Sequence, residues 1–193
     1  SGDQNIYCLL DFLKIMPKEL SDVKRSSLTD EEFNQRTKKL IVENVEQVLK
    51  LLNNMATSSN NMTLNSSILD CLNSWIKECP VESVLTIQLL TNLIFLSLTE
   101  DTTFEKSVEC LCTILNETKD LDNYELINAL YEQILNLRNY LTENKEDPEI
   151  LSGLTRIYVE AGEAWHVLIA KNPEHFKPLV EVLLFCCEIN SDL

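Results

Sequence analysis

Ten residues of this chain occur twice in the same chemical order. Leu69-Asp70-Cys71-Leu72-Asn73-Ser74-Trp75-Ile76-Lys77-Glu78 returns as Val108-Glu109-Cys110-Leu111-Cys112-Thr113-Ile114-Leu115-Asn116-Glu117. Each step matches: apolar, acid, Cys, Leu, polar, small hydroxyl, large apolar, apolar, polar, Glu. Fainter copies are Leu10-Asp11-Phe12-Leu13-Lys14-Ile15-Met16 and Val159-Glu160-Ala161-Gly162-Glu163-Ala164-Trp165. Starting at Leu10, Leu69, Val108 and Val159, the copies are offset by 59, 39 and 51 residues. Helical repeats of about 40–47 residues are the length of HEAT or armadillo hairpins, which bury their apolar faces by stacking on neighbours. An all-α chain, an α-solenoid of HEAT-like helical hairpins, is expected, and solenoids work as binding surfaces.

The periodicity places eight helices. Residues 3–16 read as a helix ended near Pro17, followed by a polar connection over 17–28. Thr29-Asp30-Glu31-Glu32 is a capping box, with Thr29 as N-cap and Glu32 reaching back. It opens a long helix to about residue 55, whose stripe is Phe33, Thr37, Leu40, Ile41, Asn44, Val48, Leu51, Leu52 and Met55. A loop at 57–63 leads to helices at 65–79, 81–98, 102–118, 123–143, 148–170 and 174–190. Pro80, Pro148 and Pro173 suit helix openings. The repeated segment falls on every second helix, which gives about four hairpins over 1–193 with B helices near 3–16, 65–79, 102–118 and 148–170. Helix 81–98 is apolar nearly all round, including Leu85, Leu89, Leu90, Leu93, Ile94 and Leu96, so it is expected to be buried.

Charge and composition narrow the function. The net charge is −15, from 31 acidic and 16 basic residues. Such a chain repels phosphate backbones and anionic lipid, so neither nucleic acid nor a membrane is expected as a direct partner; a basic protein is. No apolar run approaches the roughly 20 residues that span a bilayer. Most of the seven Cys, namely Cys8, Cys71, Cys110, Cys186 and Cys187, sit in apolar helical context and read as reduced core thiols of a cytosolic or nuclear protein. The two His, His166 and His175, lack a carboxylate or Cys at the spacing of a metal site or triad, and three Gly leave no phosphate loop. No catalysis, metal or cofactor is expected.

The repeated acid is the candidate site. Asp11, Asp70, Glu109 and Glu160 share one register, and Asn73 and Glu163 share a neighbouring one. At about 100° per residue, Asp70 lies opposite the apolar stripe of its helix. Stacked B helices would display these carboxylates as a row, and reversing Asp70, Glu109 and Glu160 to Lys should leave the fold intact. Trp75 and Trp165 also align, but both fall in the apolar stripe and are expected to be core.

Leu10-Asp11-Phe12-Leu13-Lys14-Ile15-Met16-Pro17-Lys18-Glu19 resembles the "LEFL…LPEE" segment of the transportin-SR branch of the importin-β (karyopherin) family. Leu72-Asn73-Ser74-Trp75-Ile76 is similar to the "CLxSWI" helix of that branch, and the likeness runs from about residue 9 to 118 in wording. The resemblance implies part of a solenoid of about twenty HEAT repeats that imports SR-like mRNA-binding proteins under the control of Ran bound to GTP. It also implies passage through pores lined by FG nucleoporins and shuttling between cytoplasm and nucleus. It makes the concave face, where B helices lie, a cargo or Ran surface. A HEAT scaffold or a regulatory subunit would show the same periodicity; only these motifs favour transport.

Both end helices are apolar on most sides, whereas solenoid caps carry a polar outer face. Ser1-Gly2 in place of an initiator Met reads as a cloning remnant. An internal piece that self-associates through its ends is therefore expected.

Overall fold

The 3.6-residue spacing of apolar side chains and the scarcity of Gly leave helices as the only regular structure this chain can bury. The computed structural model describes residues 2–21, 29–58 and 61–191, and every element among them is helical. In order these are α1 (Gly2–Ser21), α2 (Asp30–Leu40), a 3₁₀ turn (Val42–Asn44), α3 (Val45–Ser58), α4 (Met62–Ile76), α5 (Val81–Leu85) and α6 (Gln88–Ser97). They continue as α7 (Phe104–Glu117), α8 (Tyr124–Glu143), α9 (Pro148–Ala164), α10 (His166–Lys171) and α11 (Pro173–Ser191). Most of the polar connection expected over 17–28 lies outside the described residues, as do residues 59 and 60 of the loop.

Helix starts follow the local chemistry. The Thr29 hydroxyl accepts from the Glu32 amide, and the Glu32 carboxylate accepts from the Thr29 amide at 3.0 Å. Bonds from the Thr29 amide and hydroxyl hold the Glu32 carboxyl below the usual range, the backbone one most strongly. Asp147 caps α9 by accepting from the amides of Glu149 and Ile150, with Pro148 in the first turn.

Three expected helices are broken. The stripe expected to run unbroken from 29 to 55 stops at α2 because Asn44 turns its carboxamide onto the carbonyls of Lys39 and Leu40, at 2.9 and 3.4 Å. Helix 81–98 breaks at Thr86–Ile87. There the Thr86 hydroxyl donates to the Glu82 carbonyl at 2.8 Å, and Ile87 takes a non-helical ψ of 85°. Helix 148–170 breaks at Trp165, which closes α9.

One expected stop is not a stop. Pro17 lies inside α1, which runs on to Ser21. Proline has no N–H, so the Leu13 carbonyl loses its partner within the helix. The Trp75 indole N–H donates to that carbonyl at 2.9 Å from a fully buried position on α4. The tertiary bond replaces the missing helical one.

The chain forms two compact units, residues 1–110 and 111–193, with the boundary inside α7. In the first, α1 packs along α4, and α3 packs on α4 and α6. Its core holds Leu10, Leu13, Leu49, Leu52, Ile68, Leu72, Trp75, Val84, Leu90 and Ile94. In the second, α9 packs on α8 and α11, with α10 against α9 and α11. Its centre is aromatic: Tyr131 lies 4.9 Å from Phe176 and 6.1 Å from Trp165, centroid to centroid. The Trp165 indole donates to the Thr118 hydroxyl at 3.0 Å, and the Tyr158 hydroxyl to the Ile134 carbonyl at 3.1 Å. Burial pushes the Tyr158 phenol well above its ordinary range. Gly162 lets α11 come close: a Cβ there would stand 3.1 Å from Leu183.

The helix expected to be buried all round is not. Leu90, Thr91, Ile94 and Ser97 of α6 are buried, but Leu96 is 70% exposed and Leu89 39%. Two of the thiols read as core, Cys8 and Cys187, are exposed. Cys71, Cys110, Cys112 and Cys186 are buried, and burial pushes the Cys71 thiol up to about 12. Such thiols are poor nucleophiles.

Candidate partner-binding surface

Helix α4 buries Ile68, Leu69, Cys71, Leu72, Trp75 and Ile76. The other side carries Ser66, Asp70 and Asn73, all half-buried. One Asp70 carboxylate oxygen accepts from Lys14 of α1 at 3.0 Å and from Lys106 of α7 at 2.8 Å. Lys106 also donates to the Ser66 hydroxyl at 2.7 Å, and the Cys110 thiol donates to the Leu69 carbonyl at 3.3 Å. Three repeated helices are thus tied through one carboxylate.

This changes the meaning of the acidic register in the first unit. Asp70 is flanked by two ammonium groups and adds no free negative charge. Asp11, one turn before Lys14, is exposed; Glu109, one turn after Lys106, is half-buried. The face alternates in sign instead of presenting carboxylates alone. Lys14 and Lys106 are the residues that the sequence reading passed over. The available signal was a Lys three positions from the register acid in each helix, which puts both on the acid's side.

Asp70→Lys is therefore not neutral. It sets three ammonium groups together and removes two ion pairs of a side chain only 22% exposed. A loss of about 1–2 kcal/mol is expected, larger at low salt, because the lysines remain partly solvated. Urea unfolding of the variant at two ionic strengths checks it. A cost below about 0.3 kcal/mol would mean that the clamp contributes nothing.

In the second unit Glu160 is half-buried on α9 and Glu163 is exposed, its backbone carbonyl 2.8 Å from His166 Nδ1. Val159, Gly162, Glu163, His166, Ile169 and Leu183 line a groove of about 480 Å³. The first unit has a groove of about 400 Å³, where Leu89, Leu93 and Leu96 of α6 face Ala56 and Met62 with Asn65 and Asn92 at its edge. Trp75 and Trp165 are fully buried. Among the described residues no three His, Cys, Asp or Glu stand where they could hold a metal ion, and no helix is long and apolar enough to cross a membrane.

An all-α fold of the α-solenoid type, with polar faces and apolar grooves on its helices, defines a helical-repeat protein. Residues 1–111 match the family model of the Exportin 1-like proteins, and residues 146–193 match the Transportin-3/Importin-13 second TPR domain. The chain is 42% identical, over 96% of its length, to mRNA transport regulator MTR10 of Saccharomyces cerevisiae. It is 39% identical over 95% to an uncharacterized protein of Schizosaccharomyces pombe, and 23% identical over 91% to Transportin MOS14 of Arabidopsis thaliana. It spans 21%, 20% and 19% of those three proteins. The chain belongs to the importin-β (karyopherin) family, in its transportin-SR branch.

Proposed function

We propose that this chain is a segment of a nuclear transport receptor that carries SR-like mRNA-binding proteins into the nucleus under the control of Ran bound to GTP. The observation that carries the reading is 42% identity to an mRNA transport regulator across 96% of the chain. The −15 charge supports a basic cargo. The polar face of the repeated helices is the proposed contact surface. Asp11, Asn73 and Glu109 lie on it in the first unit, and Glu160 and Glu163 in the second, while Asp70 holds the helices together. The protein binds instead of catalysing, and it shuttles between cytoplasm and nucleus.

The groove along α6 supports a role for FG nucleoporins. Its apolar wall would take an aromatic side chain, and the carboxamides of Asn65 and Asn92 would meet a peptide backbone. Self-association through α1 is a further proposed contact: Phe12 and Ile15 are 61% and 53% exposed.

The test is a pulldown with the full-length receptor. It should retain an SR-like protein, release it when Ran loaded with GTP is added, and bind FG-repeat peptide. Leu89→Asp with Leu96→Asp should weaken FG binding severalfold with little change in melting, since both side chains are exposed. Indifference to Ran and to FG peptide together would refute the transport reading.

A further inference from the structure

The two lysines on Asp70 are not equivalent. Lys106 is held twice, by the Asp70 carboxylate at 2.8 Å and by the Ser66 hydroxyl at 2.7 Å, and its side chain is 35% exposed. Lys14 makes one bond among the described residues, at 3.0 Å to the same carboxylate oxygen, and is 45% exposed. Asp70 stands in the register of Asp11, Glu109 and Glu160, the acids of the proposed contact surface. Lys14 on α1, Asp70 on α4 and Lys106 on α7 come from three successive copies of the repeat, so the clamp is complete within the first unit.

We infer that Lys14 is an internal competitor, which occupies Asp70 in the free chain and is displaced when an arginine of a basic partner pairs with that carboxylate. The exchange deepens the transport reading, on which it rests, by regulating the same contact surface. A solvated lysine–carboxylate pair contributes little, because the ammonium recovers its hydration when it leaves. A guanidinium offers two parallel N–H groups to the two carboxylate oxygens and pairs more strongly than the point charge it replaces. The displacing group is therefore an arginine: a lysine would only exchange like for like. Lys106 stays, since its departure would break two bonds. The α4–α7 arm of the clamp thus holds while the α1 arm opens, and Asp70 keeps two cations throughout. Lys14 lowers the affinity for any basic partner by the free energy of its own pair, so weakly basic proteins are refused.

The probe is a fluorescently labelled arginine–serine repeat peptide, titrated into the whole 193-residue chain at physiological salt, where charges beyond about 8 Å are screened. Lys14→Met should tighten binding about threefold. Lys14→Arg keeps the charge but strengthens the competitor, so it should weaken binding by about the same factor. The gain from Lys14→Met should vanish in an Asp70→Asn background, whose carboxamide still accepts from Lys106. Melting curves of each variant accompany the titrations; tighter binding by Lys14→Met cannot come from lost fold, and the Lys14→Arg comparison stands without Asp70→Asn. Three outcomes overturn the inference. One is equal affinity of the parent, Lys14→Met and Lys14→Arg. Another is the same gain from Lys14→Met with Asp70→Asn as without it, which would make Lys14 a charge on the surface and nothing more. The third is no binding of the peptide by the parent or by Lys14→Met at millimolar concentration. Each of these leaves the transport reading to its own pulldown with the full-length receptor, so the two fail separately.

Discussion

Trp75→Ala is expected to cost the 1–110 unit about 3–5 kcal/mol, a large part of what a domain of this size has to lose. The side chain is fully buried, so its removal leaves a cavity. It also strands the Leu13 carbonyl, which Pro17 has already deprived of a helical donor. Trp75→Phe separates the two effects: it keeps most of the volume and loses the indole N–H, for about 1–3 kcal/mol. Pro17→Ala returns an amide donor to that carbonyl, so Trp75→Phe should cost less when combined with Pro17→Ala, by about 1 kcal/mol. Urea midpoints of the parent, the two single variants and the double variant give the coupling. Equal costs with and without Pro17→Ala would mean that the indole does not stand in for the missing amide. The corresponding Trp165→Phe should be milder. Its partner, Thr118, keeps a bond of its own to the Leu115 carbonyl at 2.7 Å.

Along α6, Ile94→Ala is expected to cost about 2–4 kcal/mol and Leu96→Ala less than about 0.5. Two positions apart on one helix, the first is fully buried and the second 70% exposed. Thermal melts of both variants decide it. A cost above about 1 kcal/mol for Leu96→Ala would mean that this face is covered in solution. Leu93 is half-buried, so its truncation should fall between the two.

Sequence periodicity exposed the helical class, because a 3.6-residue stripe and a capping box such as Thr29–Glu32 are written in neighbouring residues. The breaks were not legible. Asn44 sat in an apolar stripe as one more member, and nothing local says that its carboxamide will cap α2. Pro17 reads as a helix end by every local rule, and the group that lets α1 continue lies 62 residues from the carbonyl it bonds. The same reason limited the site. The acids at 11, 70, 109 and 160 were visible as a repeat, but whether a carboxylate is free depends on which lysine the next helix brings. Lys14 and Lys106 reach Asp70 across helix pairs, whereas among the described residues no such lysine reaches Glu160. An apolar circumference also misled, since α6 keeps Leu89 and Leu96 at a groove instead of in a core.

The two tryptophans fall one to each compact unit, and both are fully buried beside a hydrogen-bond acceptor. Indole emission shifts to longer wavelength when water reaches the ring, so each unit carries its own optical reporter. Replacing one indole by Phe leaves a single fluorophore that follows the other unit alone. Red-shift curves from the two single-tryptophan proteins, each set against the helical circular-dichroism signal of the same sample, would show whether residues 1–110 and 111–193 unfold in one step or in sequence.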